Sequence, residues 1–361
     1  MEPIIYTLSD ILKNQTQETE SESEKTTKVE LNFYFDNQPS PKLIKYGFNN
    51  INEQIDLIAL TSVPYYKAGL NFNFEGNADK SISVKASNLF KTKKFNQDFA
   101  EFWEILNLFG IITTNQNIYT SHPDTLKEII SSYQKLTKSK NTLSVMETPS
   151  KGKATTVIYK YSSIEIDENA LIQFLINTLP NLLTTQAKGS NMIIQLFALQ
   201  TQTSAEIIYY LSTLYNEAYL IKPIVSSDLS DSKYLILLGL KTPTSFNVPK
   251  HSENIYLISI GLQSLADNLS MVIQCMNSDI IPKKYNRYNQ IKVYLDSKVY
   301  EGATYQEMLE RQHKNTEKWL ELYGPESVSN IDKMKSFLDQ TLAKSSSKCA
   351  THAELINLLS Q

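Results

Sequence analysis

The stretch from Ile280 to Lys292 sets Lys283, Lys284 and Arg287 among Tyr285 and Tyr288. Ammonium and guanidinium groups neutralise phosphates, and tyrosine rings stack on bases. These five residues are the candidate RNA contacts; a plain basic surface loop is the competing reading. His122 stands beside Pro123 and Asp124. An imidazole there could move protons near neutral pH, but the same setting describes a turn that opens a helix. His251, His313 and His352 match no metal spacing, and Cys275 and Cys349 form no C-x-x-C. There is no P-loop, no G-x-S-x-G and no H-E-x-x-H. Motifs therefore assign no catalytic, cofactor-binding or metal-ligating residue.

The elements that must position these groups are legible as hydrophobic periods. Phe95, Phe99, Phe102, Trp103, Leu106 and Phe109 recur at helical spacing. Ile111 to Thr120 predicts a strand, and Leu126 to Leu136 the helix after it. Lys135 to Lys153, polar and basic, predicts an exposed connection. Thr155 to Tyr161 is a β-branched strand, with Asp167 as the expected N-cap of a helix that Pro180 should kink or split. Met192 to Leu199 predicts a buried strand. Thr203 and Glu206 read as a capping box, and Ile207, Ile208, Leu211, Leu214 and Tyr215 as the buried face behind it. Ala218 to Ile224 and Tyr234 to Leu240 predict a pair of strands.

Towards the N-terminus, Gln15 to Thr27 is acidic and polar and reads as a solvated loop, with a partner-binding tail as the alternative. Ile4 to Leu12 is an apolar piece that docks on the body or on a partner. Val29 to Phe35, Ile55 to Ser62 and Leu70 to Phe74 are candidate strands. Towards the C-terminus, Ile255 to Leu262 predicts a strand or helix start. One helix is expected around Met308 to Leu320, closed by Gly324 and Pro325, and a second around Ile331 to Leu342. Ser345 to Ser347 should break before a last helix from Thr351 to Leu359.

Residues 189 to 241 resemble the C-terminal half of the FtsJ/RrmJ-like RNA 2′-O-methyltransferases, particularly the cap methyltransferases of large DNA viruses and eukaryotes. Lys188-Gly189 stands at the family's turn, Lys222-Pro223-Ile224-Val225-Ser226 repeats its loop start, and Tyr234-Leu235-Ile236 its last strand. The departures fall on the chemistry. Gln195 stands for the strand lysine, Ser227 for the loop arginine and Ser232 for the glutamate. The helix from Phe99 to Ile105 lacks the family's first lysine, and the strand ending at Tyr159 to Ser162 lacks its aspartate. No glycine lies between Gly110 and Gly152, and no G-x-G occurs anywhere, so the cofactor loop is missing.

The resemblance implies an α/β fold with a methyltransferase-like, Rossmann-like doubly wound sheet over residues 90–262. Residues 1–89 form an N-terminal β-containing segment and 263–361 a basic loop and helical region. The strand pair at 218–240 is the expected edge hairpin, and Gln195 should end a central strand. The expected function is that of a catalytically degenerate relative, an RNA-binding or scaffold subunit in a capping or transcription complex, without cofactor. An active S-adenosylmethionine-dependent enzyme with a rebuilt site is a second reading, and a structural or virion protein without an RNA role a third. The 41% hydrophobic, 20% charged composition fits a folded domain, and a net charge of −3 excludes a uniformly basic coat while allowing a basic patch. Two cysteines point to a reducing compartment, cytoplasm or viral factory, or a virion. No apolar run reaches membrane-span length and no signal peptide opens the chain.

Overall fold

The computed structural model describes residues 3–9, 29–39 and 82–359, with short gaps at 94, 113–115, 139–142, 162–167, 198, 231, 251–254, 298–302 and 327–329. In chain order come β1 (Ile4–Thr7), β2 (Tyr34–Asp36), α1 (Ile82–Leu89), α2 (Gln97–Leu108), β3 (Gln116–Thr120), α3 (Pro123–Thr137) and β4 (Leu143–Met146). Next are β5 (Ala154–Tyr159), α4 (Glu168–Thr185), β6 (Gln186–Leu196), α5 (Gln202–Leu214), β7 (Tyr215–Lys222), β8 (Lys233–Leu240) and β9 (Tyr256–Ser259). Three helices finish the chain: α6 (Gln263–Ser297), α7 (Ala303–Tyr323) and α8 (Ile331–Leu359).

Seven strands form one mixed sheet in the order β1-β7-β8-β6-β5-β3-β4. β4, β3, β5 and β6 run parallel; β8 is antiparallel to β6, β7 to β8 and β1 to β7. β2 and β9 make a separate two-stranded pair. Because side chains alternate across a strand, each central strand feeds two cores. Met192 and Ile194 join Val157, Leu235 and Leu237 beneath α4, α5 and α6. Ile193 joins Ile158 and Ile236 beneath α2, α3 and α7. The protein is thus an α/β fold with helices on both sheet faces. No helix among the described residues is long and apolar enough to cross a membrane.

Several expectations change. The connection at 135–153 contains β4, which pairs with β3. The hairpin at 218–240 is not the edge, since β1 covers β7 and draws Ile4 to Ser9 onto the body. Helix α4 runs through Pro180 without a break, buried on Leu179, Leu182 and Leu183. The N-cap of α5 is Thr201, whose hydroxyl accepts from Ser204 N. Glu206 instead accepts from Ser259 Oγ and from the backbone of Ile260 and Leu262, pinning β9. The run at 280–292 is not a loop but the interior of α6. α8 passes through Ser345 to Ser347 unbroken, and Thr351 Oγ1 donates back to Ser347 O rather than capping. The candidate strands at 55–62 and 70–74, and Asp167, lie outside the described residues.

Candidate functional site

In open α/β sheets, ligands lie beyond the carboxyl ends of the parallel strands. Here β5 ends at Tyr159 and β6 at Leu196, and α2, which packs on one face of the sheet, reaches Lys160 just past β5. The start of α2 is fixed by Asn96, whose side chain accepts from Phe99 N at 2.8 Å. Its aromatic face packs Phe99 on Trp103 and both on Phe90, which orients the remaining positions. One turn apart on this helix, Asp98 and Glu101 point at Lys160, the residue after β5. Lys160 Nζ lies 2.6 Å from Asp98 Oδ1 and 2.9 Å from Glu101 Oε2.

The rest of this network comes from the antiparallel part of the sheet. Tyr234 OH, on β8, donates to Glu101 Oε2 at 2.5 Å. Ser226 Oγ and Gln97 Nε2 donate to Glu101 Oε1 at 2.8 and 3.0 Å. Burial pushes the Glu101 carboxyl up, but the Lys160 charge and these donors outweigh it, so its pKa falls below the usual value. Burial pulls the Lys160 ammonium down, yet Glu101 and Asp98 raise it overall. Lys160 is therefore held charged between its two carboxylates. The geometry fastens α2 to the sheet.

Gln195 lies at the carboxyl end of β6, in the middle of the sheet, as expected. Its Oε1 accepts from Tyr161 N at 3.1 Å, and its Nε2 donates to Ser232 Oγ at 2.7 Å. An amide does both jobs, and neither group titrates near neutral pH. Lys222 is buried and donates to the carbonyls of Ser227 and Ser230 at 2.9 and 2.7 Å, which shapes the loop from 223 to 232. His122 precedes α3 and makes no side-chain cap; its Nδ1 is 2.9 Å from Ser121 Oγ. Burial lowers its pKa, against Asp98 and with Lys160. Only Ser121 and His122 separate β3 from α3, so no glycine turn opens above β3. Among the described residues no group of three metal-ligating side chains converges.

Sequence reasoning met Glu101, Lys160 and Tyr234 only as positions in the helix, at the strand end and in the last strand, and missed Asp98. The available signal was charge placed between Phe99 and Phe102 on an apolar helix face, which requires a partner. Glu104, one turn further along α2, is also buried and accepts from Ile224 N at 2.9 Å and Trp319 Nε1 at 3.1 Å.

The five candidate RNA contacts divide. Lys283, Lys284 and Tyr285 are half-buried on α6. Arg287 is buried, with Nη2 3.0 Å from Asp228 Oδ2, and so braces the 223–232 loop instead of meeting solvent. The side chain of Tyr288 lies outside the described residues. Lys283 lines a groove of about 260 Å³ together with Lys344 and Lys348 of α8, Asp279 of α6, and Pro3 and Ile4 where β1 begins. Sequence reading did not join the lysines of α8 to this group, because α6 and α8 meet only in the fold.

No family model matches the chain. The uncharacterized protein R383 of Acanthamoeba polyphaga mimivirus is 43% identical to it over 361 residues, covering 100% of both chains.

Proposed function

Since the chain belongs to the family of the mimivirus protein R383 along its whole length, we propose a function that the whole chain carries, that of a non-catalytic RNA-binding or scaffold subunit in a viral capping or transcription complex. One observation carries this reading: just past the carboxyl end of β5, on the side where α/β enzymes hold their ligands, Lys160 is bonded to Asp98 and Glu101, and Glu101 to Tyr234. The methyltransferase-like part of the reading is supported by the strand order, four parallel strands continued by the antiparallel pair β8 and β7. It is supported also by Gln195 and Ser232, which meet where the resembled family has its lysine and glutamate. The RNA part is supported by the lysines of α6 and α8 that face one groove with a single carboxylate, Asp279.

RNA affinity is tested by fluorescence anisotropy of a single-stranded oligonucleotide across a salt series. Replacing the groove's Lys283 and Lys344, together with Lys284, which follows Lys283 on α6 but does not line the groove, with alanine is expected to lower affinity and reduce the log–log salt slope by about 0.7 per lysine. Arg287 is left intact, because its loss would disturb the fold. Unchanged affinity and slope in the triple variant would remove the groove from the reading. Absence of saturable RNA binding by the wild type would favour the structural or virion role.

Methyl transfer is expected to be absent. Calorimetry with S-adenosylmethionine should show no saturable heat, and capped and uncapped RNA should stay unmethylated. Turnover above a heat-killed control would instead establish an active enzyme, with Lys160 and its two carboxylates as the rebuilt site to examine first.

A further inference from the structure

Cys275 and Cys349 are the chain's two cysteines. The fold brings them together: Cys275 is buried on α6, Cys349 half-buried on α8, and their thiols hydrogen-bond to each other. A small apolar role in the core accounts for Cys275 alone. It does not account for its contact with the other cysteine on a helix whose neighbouring positions are mostly exposed. A polar frame surrounds the pair. Tyr6 OH, from β1, lies 3.4 Å from Cys275 Sγ and donates to Asp279 Oδ2 at 2.7 Å. Lys348, next to Cys349, forms an ion pair with Asp279. Thus β1, α6 and α8 converge on the two sulfurs.

We propose that Cys275 and Cys349 are a reversible disulfide-forming site that locks α8 onto α6 when a peroxide is present. The Cys349 hydrogen bond and the Lys348 charge lower the Cys275 thiol below its usual value against burial, while Cys349 holds its proton more tightly, so Cys275 is the more readily ionised sulfur of the pair. That sulfur attacks one peroxide oxygen, the O–O bond breaks, and the departing hydroxide takes up the thiol proton as water. Cys275 is then a sulfenic acid. The Cys349 sulfur attacks it, the S–O bond breaks, and a second water leaves with the Cys349 proton. The two sulfurs together give up two electrons and hydrogen peroxide accepts them. A dithiol reductant reverses the bond by exchange.

The disulfide itself does not depend on the RNA reading, so its test uses no RNA. The full-length protein is treated with hydrogen peroxide, denatured, alkylated and weighed intact. The expected species is monomeric, lacks two hydrogens, carries no alkyl group, and regains two alkylatable thiols after dithiothreitol. It should also unfold at higher temperature than the reduced protein, since a crosslink restricts the unfolded chain. Cys349→Ser, at the half-buried position, should keep the reduced fold and never lose two hydrogens. Two thiols that remain alkylatable under peroxide, a gain of oxygen without a crosslink, or a covalent dimer would overturn the proposal.

Discussion

Lys160→Met lowers the unfolding free energy at pH 7 by about 3–5 kcal/mol, the usual cost of removing one partner from a buried ion pair. Methionine keeps most of the stem against the Phe102 and Tyr234 rings, which the ammonium approaches at 5.9 Å. What is lost is the only cation against the Glu101 carboxylate shown by the contacts of this network. In the wild type, the lowered pKa of Glu101 gives stability that is present above its unfolded pKa and lost as pH falls through the folded one. Without Lys160, burial dominates and the sign reverses: the protonated carboxyl is favoured in the fold. The variant's deficit should therefore shrink on acidification. Adding Glu101→Gln should restore stability at pH 7, because the amide needs no cation. Urea midpoints at pH 5 and pH 7 for the four proteins of this cycle decide the matter. A deficit independent of pH and not rescued by Glu101→Gln would mean that Lys160 matters through packing alone.

Stability also declines on the alkaline side because of Glu104. Burial pushes its carboxyl up from 4.5 to about 8, against hydrogen bonds from Ile224 N and Trp319 Nε1 and with the nearby Glu101 charge adding to the rise. The folded state holds this proton more tightly than the unfolded chain. Its stabilisation is complete below the unfolded pKa and is lost as pH rises towards 8, at about 1.4 kcal/mol per pH unit. Glu104→Gln should remove that slope, since one amide oxygen can accept from both donors. The wild-type-minus-variant difference cancels groups that titrate in the same range, His122 and Cys275 among them. Chemical denaturation at pH 5, 6.5 and 8 is expected to show the variant gaining on the wild type by several kcal/mol across the series. Parallel pH profiles would show that Glu104 is not the group responsible.

Much of the fold was legible because local periods agreed with tertiary demands. The aromatic spacing from Phe95 to Phe109 gave α2, and the apolar runs around Met192, Ala218 and Tyr234 gave the three strands that meet beside Gln195. Misreadings arose where distant partners overrode a local signal. Thr203 and Glu206 have capping-box spacing, but Glu206 is needed by backbone N–H groups of Ile260 and Leu262, some fifty residues on. β4 is four residues in a polar, lysine-rich setting, so its pairing with β3 had no local mark. Pro282 disguised the interior of α6 as a loop, while Ser346 and Ser347 are exposed on α8, where a helix tolerates them at a few tenths of a kcal/mol each. The site was legible only in part, since Asp98, Lys160 and Tyr234 come from three separate elements. Their meeting is a property of the sheet order, which a linear pattern does not encode.

The place of β1 has a consequence for biosynthesis. Among the described strands it is the first to be made, yet its partners, Tyr219 to Lys222, are made only after most of the sheet. At general translation rates that interval is roughly 10–40 s. The parallel strands and their helices can assemble in that time, but Ile5 and Tyr6 remain without their native sheet and β7 arrives as an open edge. Closure of that edge is a late, long-range step, slow in the way non-local pairings are slow. A product initiated downstream of β1 would keep the edge bare and offer it to a second copy. β1 thus acts as a built-in seal that can be applied only after β7 has been made.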